Sequence, residues 1–414
     1  MIWPYNAVLR ILISAGEASG EMYGAQIIEA LRRAAGQNPA QLRSAGQPGA
    51  AVPIQASTGI EFFGVGGDRM RAAGCDTVVD SKDLAVMGIT EILSHLPKIL
   101  GLYRRLIAEA DRRKPDLAIV IDSPAFNWRV ARQMKKRGIP TVYYVAPQFW
   151  AWRQGRVRLI RDYIDKALVI FPFEEQFYRE RGVDATFVGH PLAELPHPAI
   201  ERADYAAQFH LDSTKHWIAL MPGSRVKEVR MNLPTILESA AQLGSAYEFL
   251  LPVAPTLDRS FLLSLMEQEK PSQQKITLVP DALPALWHSR AGIVASGTAT
   301  VEAAMMNTPF VMVYRVSPLT YALGKPRVKV PRFAMVNLIA EEEVVPELVQ
   351  SDFTAEKVAA RLKEILPDGP ARDHMLEGLA GVKARLRAPR ADSGATQHPA
   401  DRAAEIIFSL LMKR

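Results

Sequence analysis

The chain has 414 residues, of which 48% are hydrophobic and 23% charged, with a formal net charge of +6 and a single cysteine. That length exceeds one ordinary core and suits two α/β domains. One cysteine excludes an intrachain disulfide framework and fits a reducing compartment. The modest basic excess suits an anionic partner such as phosphate, nucleotide, nucleic acid or an acidic lipid surface, or simply a solubilising surface.

The N-terminal run AVLRILISAG (7–16) is short, carries Arg10 in its middle and lacks a basic leader, so it reads as a first buried strand and not a signal peptide. No uninterrupted apolar stretch reaches the ~18 residues of a spanning helix. Short β-branched runs then alternate with helical patterns. Strands are predicted at 8–14, 60–66, 116–122, 140–146, 166–171 and 185–189, with helix-like stretches such as EMYGAQIIEALRRAA between them. This alternation marks a parallel sheet covered on both faces. Residues 191–214, with prolines and a short helical piece, read as a linker. The pattern restarts at 216–221, 247–253, 275–279, 291–296 and 309–314, so two Rossmann-like halves follow each other. Ligands of such sheets bind at the carboxyl ends of strands, and the cleft between the halves is the default site.

Residues 37–58 are rich in Gly, Pro, Ala and Gln without periodicity and read as a long loop. Residues 388–400 interrupt two helical stretches, about 370–387 and 400–412. Cys75, in the plain run RAAGCDTVV, reads as a small packing residue.

Five motifs carry the chemistry. SAGEASGE (14–21) follows the first strand. Its small residues let the backbone approach a ligand, and Glu17 adds a carboxylate suited to sugar hydroxyls. It is neither G-x-G-x-x-G nor a Walker loop, which disfavours a dinucleotide or ATP, and a plain tight turn is the alternative. IDSPAFN (121–127) ends a strongly apolar strand at Asp122, whose carboxylate in a partly apolar cleft suits a general base. The alternative is that Asp122 caps the next helix, with Pro124 in its first turn. YVAPQFWAWRQGRVRLIR (144–161) combines aromatic rings with Arg153, Arg156, Arg158 and Arg161, a surface for a sugar face, phosphate or lipid headgroup, or a solvated helix face.

LMPGSRVKEV (220–229) opens the second half. Gly223 and Ser224 are predicted to open a helix with Arg225 in its first turn, placing N–H groups, a hydroxyl and a guanidinium on one diphosphate with no metal required, and a purely structural turn is the alternative. In ASGTATVEAAMMNTP (295–309) a small-residue loop after a strand precedes a helix with Glu302 one turn in, where a carboxylate can accept both ribose hydroxyls. No His/Cys/Asp/Glu cluster has metal spacing. His190, in VGHP, stands at a strand end, where it touches a ligand or serves a structural or hinge role.

GEASGE, DLAVMGITEIL, IDSPAFN, YYVAPQFWAWR, FPFEEQFY, VGHPLAE, MPGSR–KEV, ASGTATVE and VNLIA occur in this order from about residue 8 to 365, and in that order the chain resembles lipid-A-disaccharide synthases. The resemblance implies an α/β GT-B fold, two Rossmann-like domains with parallel sheets facing a central cleft. Residues 1–200 would be the acceptor and membrane-facing domain, with C-terminal helices from about 385–414 packing back on it, and 201–385 the UDP-donor domain. It implies an inverting transfer from UDP-2,3-diacylglucosamine to 2,3-diacylglucosamine 1-phosphate, giving a tetra-acyl disaccharide 1-phosphate and UDP, without cofactor or metal.

On this resemblance Asp122 is the general base. Gly223, Ser224, Arg225, Ser296, Gly297, Thr298, Glu302 and Asn337 hold the UDP donor. Gly16, Glu17, Ser19, Trp152, Arg153 and His190 hold the acceptor sugar. Partners are the two lipid substrates and an anionic membrane surface, with no nucleic acid and a possible homodimer, at the cytoplasmic face of the inner membrane. The sequence departs from the family at Glu21 and Ala125, where Asp is usual, and at Val336, where Pro is usual, and the 37–58 insertion has no counterpart. The apolar segment 84–109, with Arg104 and Arg105 towards its end, is expected to dip into a membrane surface or to form a buried helix pair broken at Pro97. KPRVKVPR (325–332) is a second basic candidate. The rivals are another UDP-sugar enzyme of this architecture, such as a UDP-N-acetylglucosamine 2-epimerase, and a non-catalytic lipid- or nucleic-acid-binding protein.

Overall fold

The computed structural model describes residues 8–16, 18–37, 59–84, 89–268, 274–325, 328, 330–389 and 397–412. The chain divides into two units, Met1–Pro191 with Ala388–Arg414, and Leu192–Arg387.

Among the described residues the first unit holds seven strands: β1 (Leu9–Ala15), β2 (Ile60–Gly66), β3 (Cys75–Asp80), β4 (Leu117–Ile121), β5 (Thr141–Tyr144), β6 (Lys166–Val169) and β7 (Ala185–Phe187). They form one sheet in the order β3-β2-β1-β4-β5-β6-β7, and every described pairing is parallel. A parallel sheet with helices on both faces must be apolar on both. All five residues of β4 are buried, and burying each Ile or Val side chain contributes about 1.5–3 kcal/mol. The polar residues fall at the strand starts. Arg10 opens β1 in an ion pair with Glu61 at 3.2 Å, and its amide donates to Asp116 Oδ2 at 2.8 Å. Asp116 therefore fixes the amino end of the sheet, the end opposite to Asp122. Helix Pro399–Met412 packs on helix Ala18–Gln37, with Arg33 donating to Asp401 at 2.7 Å.

The second unit holds β8 (His216–Met221), β9 (Tyr247–Pro252), β10 (Ile276–Val279), β11 (Ala291–Ala295), β12 (Phe310–Tyr314) and β13 (Glu347–Val349). Their order is β10-β9-β8-β11-β12-β13, again with parallel pairings. Helix Pro370–Leu386 belongs to this unit and packs on the helices at Thr298–Met305, Met335–Ala340 and Ala355–Ile365.

In each sheet the chain starts in the middle, runs outward one way, then crosses back to run the other way. The reversal lies between β1 and β4 and between β8 and β11, the switch points where crossover helices diverge and leave room for a ligand at the carboxyl edge.

Several expectations are corrected. Two strands, β3 and β13, were not predicted, because CDTVVD and ELV are short edge segments without an apolar run. In the linker segment 191–214 the expected short helical piece is the helix Arg202–Phe209, preceded by a 3-10 turn at Pro191–Glu194. The expected break at Pro97 is absent, since one helix runs from Ile89 to Arg113 through it. The long-loop expectation for 37–58 lies, from residue 38, outside the described residues, as do Pro326, Arg327 and Lys329 of the basic 325–332 segment. Among the described residues no helix is long and apolar enough to cross a membrane.

Candidate active site

The motifs gather at the two switch points, one set in each unit. In the first unit Ala15 at the end of β1 lies beside Ile121 at the end of β4. The chain therefore emerges at Gly16 and Asp122 side by side. Gly16 is buried, and a Cβ there would stand 2.7 Å from Ser123 Oγ, so only glycine lets the two loops approach this closely.

Asp122 and Ser123 both have φ of 45°. Two successive left-handed residues without glycine cost about 1 kcal/mol each or more and persist only where their surroundings fix them. Here the fixing groups are visible. The Asp122 carbonyl accepts from Asn127 Nδ2 at 2.8 Å and from the Tyr143 hydroxyl at 2.7 Å. Asn127 also donates to the carbonyls of Ile121 at 2.8 Å and Ser14 at 3.2 Å, while its Oδ1 accepts from Ser14 Oγ at 2.7 Å. One buried amide thus ties the ends of β1 and β4 together. The N-cap position of helix Pro124–Lys136 falls on Ser123 and not on Asp122, with Pro124 in the first turn.

Glu17 lies outside the described residues, and Ser19 is exposed in the first turn of helix Ala18–Gln37. Glu21, where the resembled family has Asp, accepts from the Arg69 amide at 2.7 Å and so caps the short helix Asp68–Ala72. Trp152 is 49% exposed, with the Arg153 guanidinium 4.0 Å from its ring centroid. His190 is 2% exposed and packs against Phe171 at 5.2 Å between centroids. Burial holds its imidazole neutral, down to about 3. That geometry favours packing over direct ligand contact.

Glu174, in FPFEEQFY, was not singled out. It is fully buried and accepts from Trp150 Nε1 at 2.8 Å, the Ile170 amide at 3.1 Å and the Phe171 amide at 3.0 Å. It therefore anchors the short helix Phe149–Trp152 that presents Trp152. Burial pushes its carboxyl up to about 7 against those three donors.

In the second unit Met221 at the end of β8 lies beside Val294 in β11. Helix Val226–Leu243 starts one residue after Arg225, which occupies the N-cap position with extended backbone and not the first turn as expected. Gly223 has φ of 121°, and a Cβ there would stand 2.8 Å from Glu228 Cβ. The amides of Ser224 and Arg225 donate to Glu228 Oε2 at 3.2 and 3.3 Å, and the Arg225 guanidinium meets Glu228 Oε1 at 3.1 Å. The cradle's donors are thus occupied by the Glu228 carboxylate, and an anion can bind here only in its place.

After β11, Ser296 Oγ donates to the Phe333 carbonyl at 3.0 Å, while Gly297 and Thr298 are exposed at the start of helix Thr298–Met305. Glu302 makes no side-chain hydrogen bond or ion pair among the described residues, and burial alone raises its carboxyl above the ordinary range. A desolvated carboxylate without partners has acceptor capacity to offer. Asn337 differs from expectation. Its Nδ2 donates to the Val345 carbonyl at 2.8 Å and to Glu347 Oε1 at 2.9 Å, and its Oδ1 accepts from the Val344 and Val345 amides, each at 2.9 Å. Its hydrogen-bonding positions are spent on bracing residues 344–347, so it positions the loop and does not present an amide.

Among the described residues no group of three or more His, Cys, Asp or Glu side chains could hold a metal ion. Cys75 is buried, and burial pushes its thiol up to about 12, in keeping with packing.

The family model for lipid-A-disaccharide synthetase matches residues 11–378. Lipid-A-disaccharide synthase of Koribacter versatilis is 50% identical over 407 residues, covering 98% of this chain and 100% of that protein. The synthase of Myxococcus xanthus is 40% identical over 406 residues, 97% of each chain. Among solved structures, the UDP-GlcNAc 2-epimerase of Neisseria meningitidis bound to UDP-GlcNAc aligns with a TM-score of 0.60 at 12% identity, over 98% of this chain and 100% of that one. A calicheamicin glycosyltransferase aligns with a TM-score of 0.58 at 15% identity, over 98% and 99%. These distant likenesses speak to the fold, while the sequence relatives favour the synthase over the epimerase. The chain belongs to the lipid-A-disaccharide synthase family and is a glycosyltransferase of GT-B fold in lipid A biosynthesis.

Proposed function

We propose that the chain transfers the diacylglucosaminyl group of UDP-2,3-diacylglucosamine to the 6-hydroxyl of 2,3-diacylglucosamine 1-phosphate, with Asp122 as general base. An α-linked donor and a β-linked product require inversion, which a single direct displacement provides. The acceptor oxygen attacks the anomeric carbon. Its proton passes to the Asp122 carboxylate, the bond from that carbon to the β-phosphate oxygen breaks, and the electron pair leaves on UDP. With the Glu228 side chain displaced from them, Gly223, Ser224 and Arg225 offer N–H and guanidinium donors to the charge growing on the diphosphate. Glu302 accepts the ribose hydroxyls, and Ser296, Gly297 and Thr298 line the same loop. Gly16, Ser19, Trp152 and Arg153 serve the acceptor side.

The observation that carries this reading is the braced left-handed turn at Asp122, at the carboxyl end of β4 beside Gly16. Strain maintained by two side-chain hydrogen bonds at a switch point is the mark of a functional position. Peripheral attachment to an anionic membrane at the cytoplasmic face follows from the acylated substrates. It is supported by helix Ile89–Arg113, where Leu100 is 43% exposed and Arg104 and Arg105 are exposed one turn later.

The test is Asp122→Asn in purified protein. Turnover is expected to fall about 10²- to 10⁴-fold with little change in donor KM. Near-normal turnover removes Asp122 from the role.

A further inference from the structure

We infer that Arg129, Arg153 and Arg156, with the rings of Trp128 and Trp152, form a receptor for a phosphomonoester, the 1-phosphate of the acceptor sugar. This rests on the reading above and assigns one end of the acceptor to a place in the first unit.

Helix Pro124–Lys136, which begins immediately after the Asp122 turn, carries Arg129 and packs against helix Val157–Tyr163. Arg156 occupies the N-cap position of that second helix, and its amide donates to the Arg153 carbonyl at 2.8 Å through the intervening turn. Packing of the two helices therefore brings elements bearing Arg129, Arg153 and Arg156, up to 27 positions apart in sequence (156 − 129), against one another. Burial first, and then the charges of Arg153 and Arg129, pull the Arg156 guanidinium below its ordinary pKa.

Several arginines of this unit are neutralised by carboxylates. Arg10 pairs with Glu61, Arg71 with Asp68 and Asp80, Arg113 with Asp76 and Glu109, and Arg137 with Asp111. Arg161, further along the same basic run, pairs with Asp162. Arg129, Arg153 and Arg156 have no carboxylate partner among the described residues.

Two of the three are also held in place. Arg129 donates to the Ala125 carbonyl and lies 4.6 Å from the Trp128 ring centroid. Arg153 lies 4.0 Å from that of Trp152. Stacked guanidinium groups are pre-oriented forks, and neighbouring forks without an acid match the several acceptor oxygens and two charges of a phosphomonoester better than a sugar hydroxyl. The exposed face of Trp152 supplies the apolar platform a glucosamine ring needs beside that phosphate.

The test is steady-state kinetics in detergent micelles with two acceptors, 2,3-diacylglucosamine 1-phosphate and the corresponding methyl glycoside without phosphate. Wild type, R129A, R156A and R156K are compared. For the phosphorylated acceptor, KM is expected to rise at least about tenfold in R129A and R156A, the loss of one charged hydrogen bond. R156K should fall between R156A and wild type. The methyl glycoside should bind poorly to wild type and show no such rise in the variants. An equal penalty on both acceptors overturns the inference. So does an unchanged KM accompanied by weaker sedimentation with phosphatidylglycerol vesicles, which would give the cluster to a lipid headgroup. No disaccharide from wild type with either acceptor would overturn the proposed function and this inference with it.

Discussion

The side-chain amide of Asn127 donates to the main-chain oxygen of Asp122 at 2.8 Å and so holds the Asp122–Ser123 turn in its left-handed conformation. The same nitrogen reaches Ile121 and Ser14, which makes Asn127 a joint between β1 and β4 as well as a brace. Asn127→Ala leaves the buried Ser14 hydroxyl without its acceptor and removes one of two donors from the Asp122 carbonyl. We predict a loss of about 2–3 kcal/mol in urea unfolding. Turnover should fall at least about tenfold from misplacement of the base. Tyr143→Phe, which removes only the second donor, should cost about 1 kcal/mol. A destabilised Asn127→Ala enzyme with full turnover would show that the turn does not depend on this amide.

Glu302 gives a pH-dependent prediction. Burial raises its carboxyl, so the proton is taken up at a higher pH than for an exposed glutamate. If the ionised carboxylate accepts the ribose hydroxyls, its contribution to UDP binding is present at high pH and fades on acidification through that raised pKa. Titration calorimetry of UDP with wild type and Glu302→Gln cancels the ionisation of the nucleotide itself. The affinity advantage of wild type, about tenfold for one charged hydrogen bond, should shrink as the pH falls. A constant difference across pH would remove Glu302 from the ribose.

Glu174 and His190 make opposite contributions to stability. The folded-state pKa of Glu174, about 7, lies above the ordinary 4.5. The native state therefore binds more protons between these values, and stability from this group is full at low pH and lost as pH rises through 7. The lost part is about 3 kcal/mol by linkage. His190, held down to about 3 from 6.5, has the reverse slope, its stabilisation being lost as pH falls below 6.5. The stability difference between wild type and Glu174→Gln should therefore decline as pH is raised from acid through neutrality. A difference that does not change with pH would contradict the burial of an ionisable Glu174.

The central strands and the strand-end motifs were legible in the sequence because buried parallel strands must be continuous apolar runs and because tight turns at their ends need small residues. Hence β4 and the Gly223–Arg225 loop were found within a residue or two. The edge strands β3 and β13 were not, since CDTVVD pairs on one side only and ELV is three residues long. The supporting shell was hidden for a different reason. Tyr143 acts on the Asp122 carbonyl from 21 positions away (143 − 122), through strand register that no local pattern encodes, and Asn127, from 5 positions away in the next helix (127 − 122), does so only through the left-handed turn between them. Asn337 reads as a ligand-facing amide in VNLIA and proves to be a brace once residues 344–347 fold beneath it. Arg129 lies within a stretch of other cations, and its place beside the element that carries Arg153 and Arg156 depends on the packing of two helices distant in sequence.

The most direct measurement is mass spectrometry of the products formed by purified protein from UDP-2,3-diacylglucosamine and 2,3-diacylglucosamine 1-phosphate with a chelator present. The account predicts a tetra-acyl disaccharide 1-phosphate in equal amount with UDP. UDP released without disaccharide, or a donor sugar altered at one carbon, would contradict it and point to a hydrolase or an epimerase on the same fold.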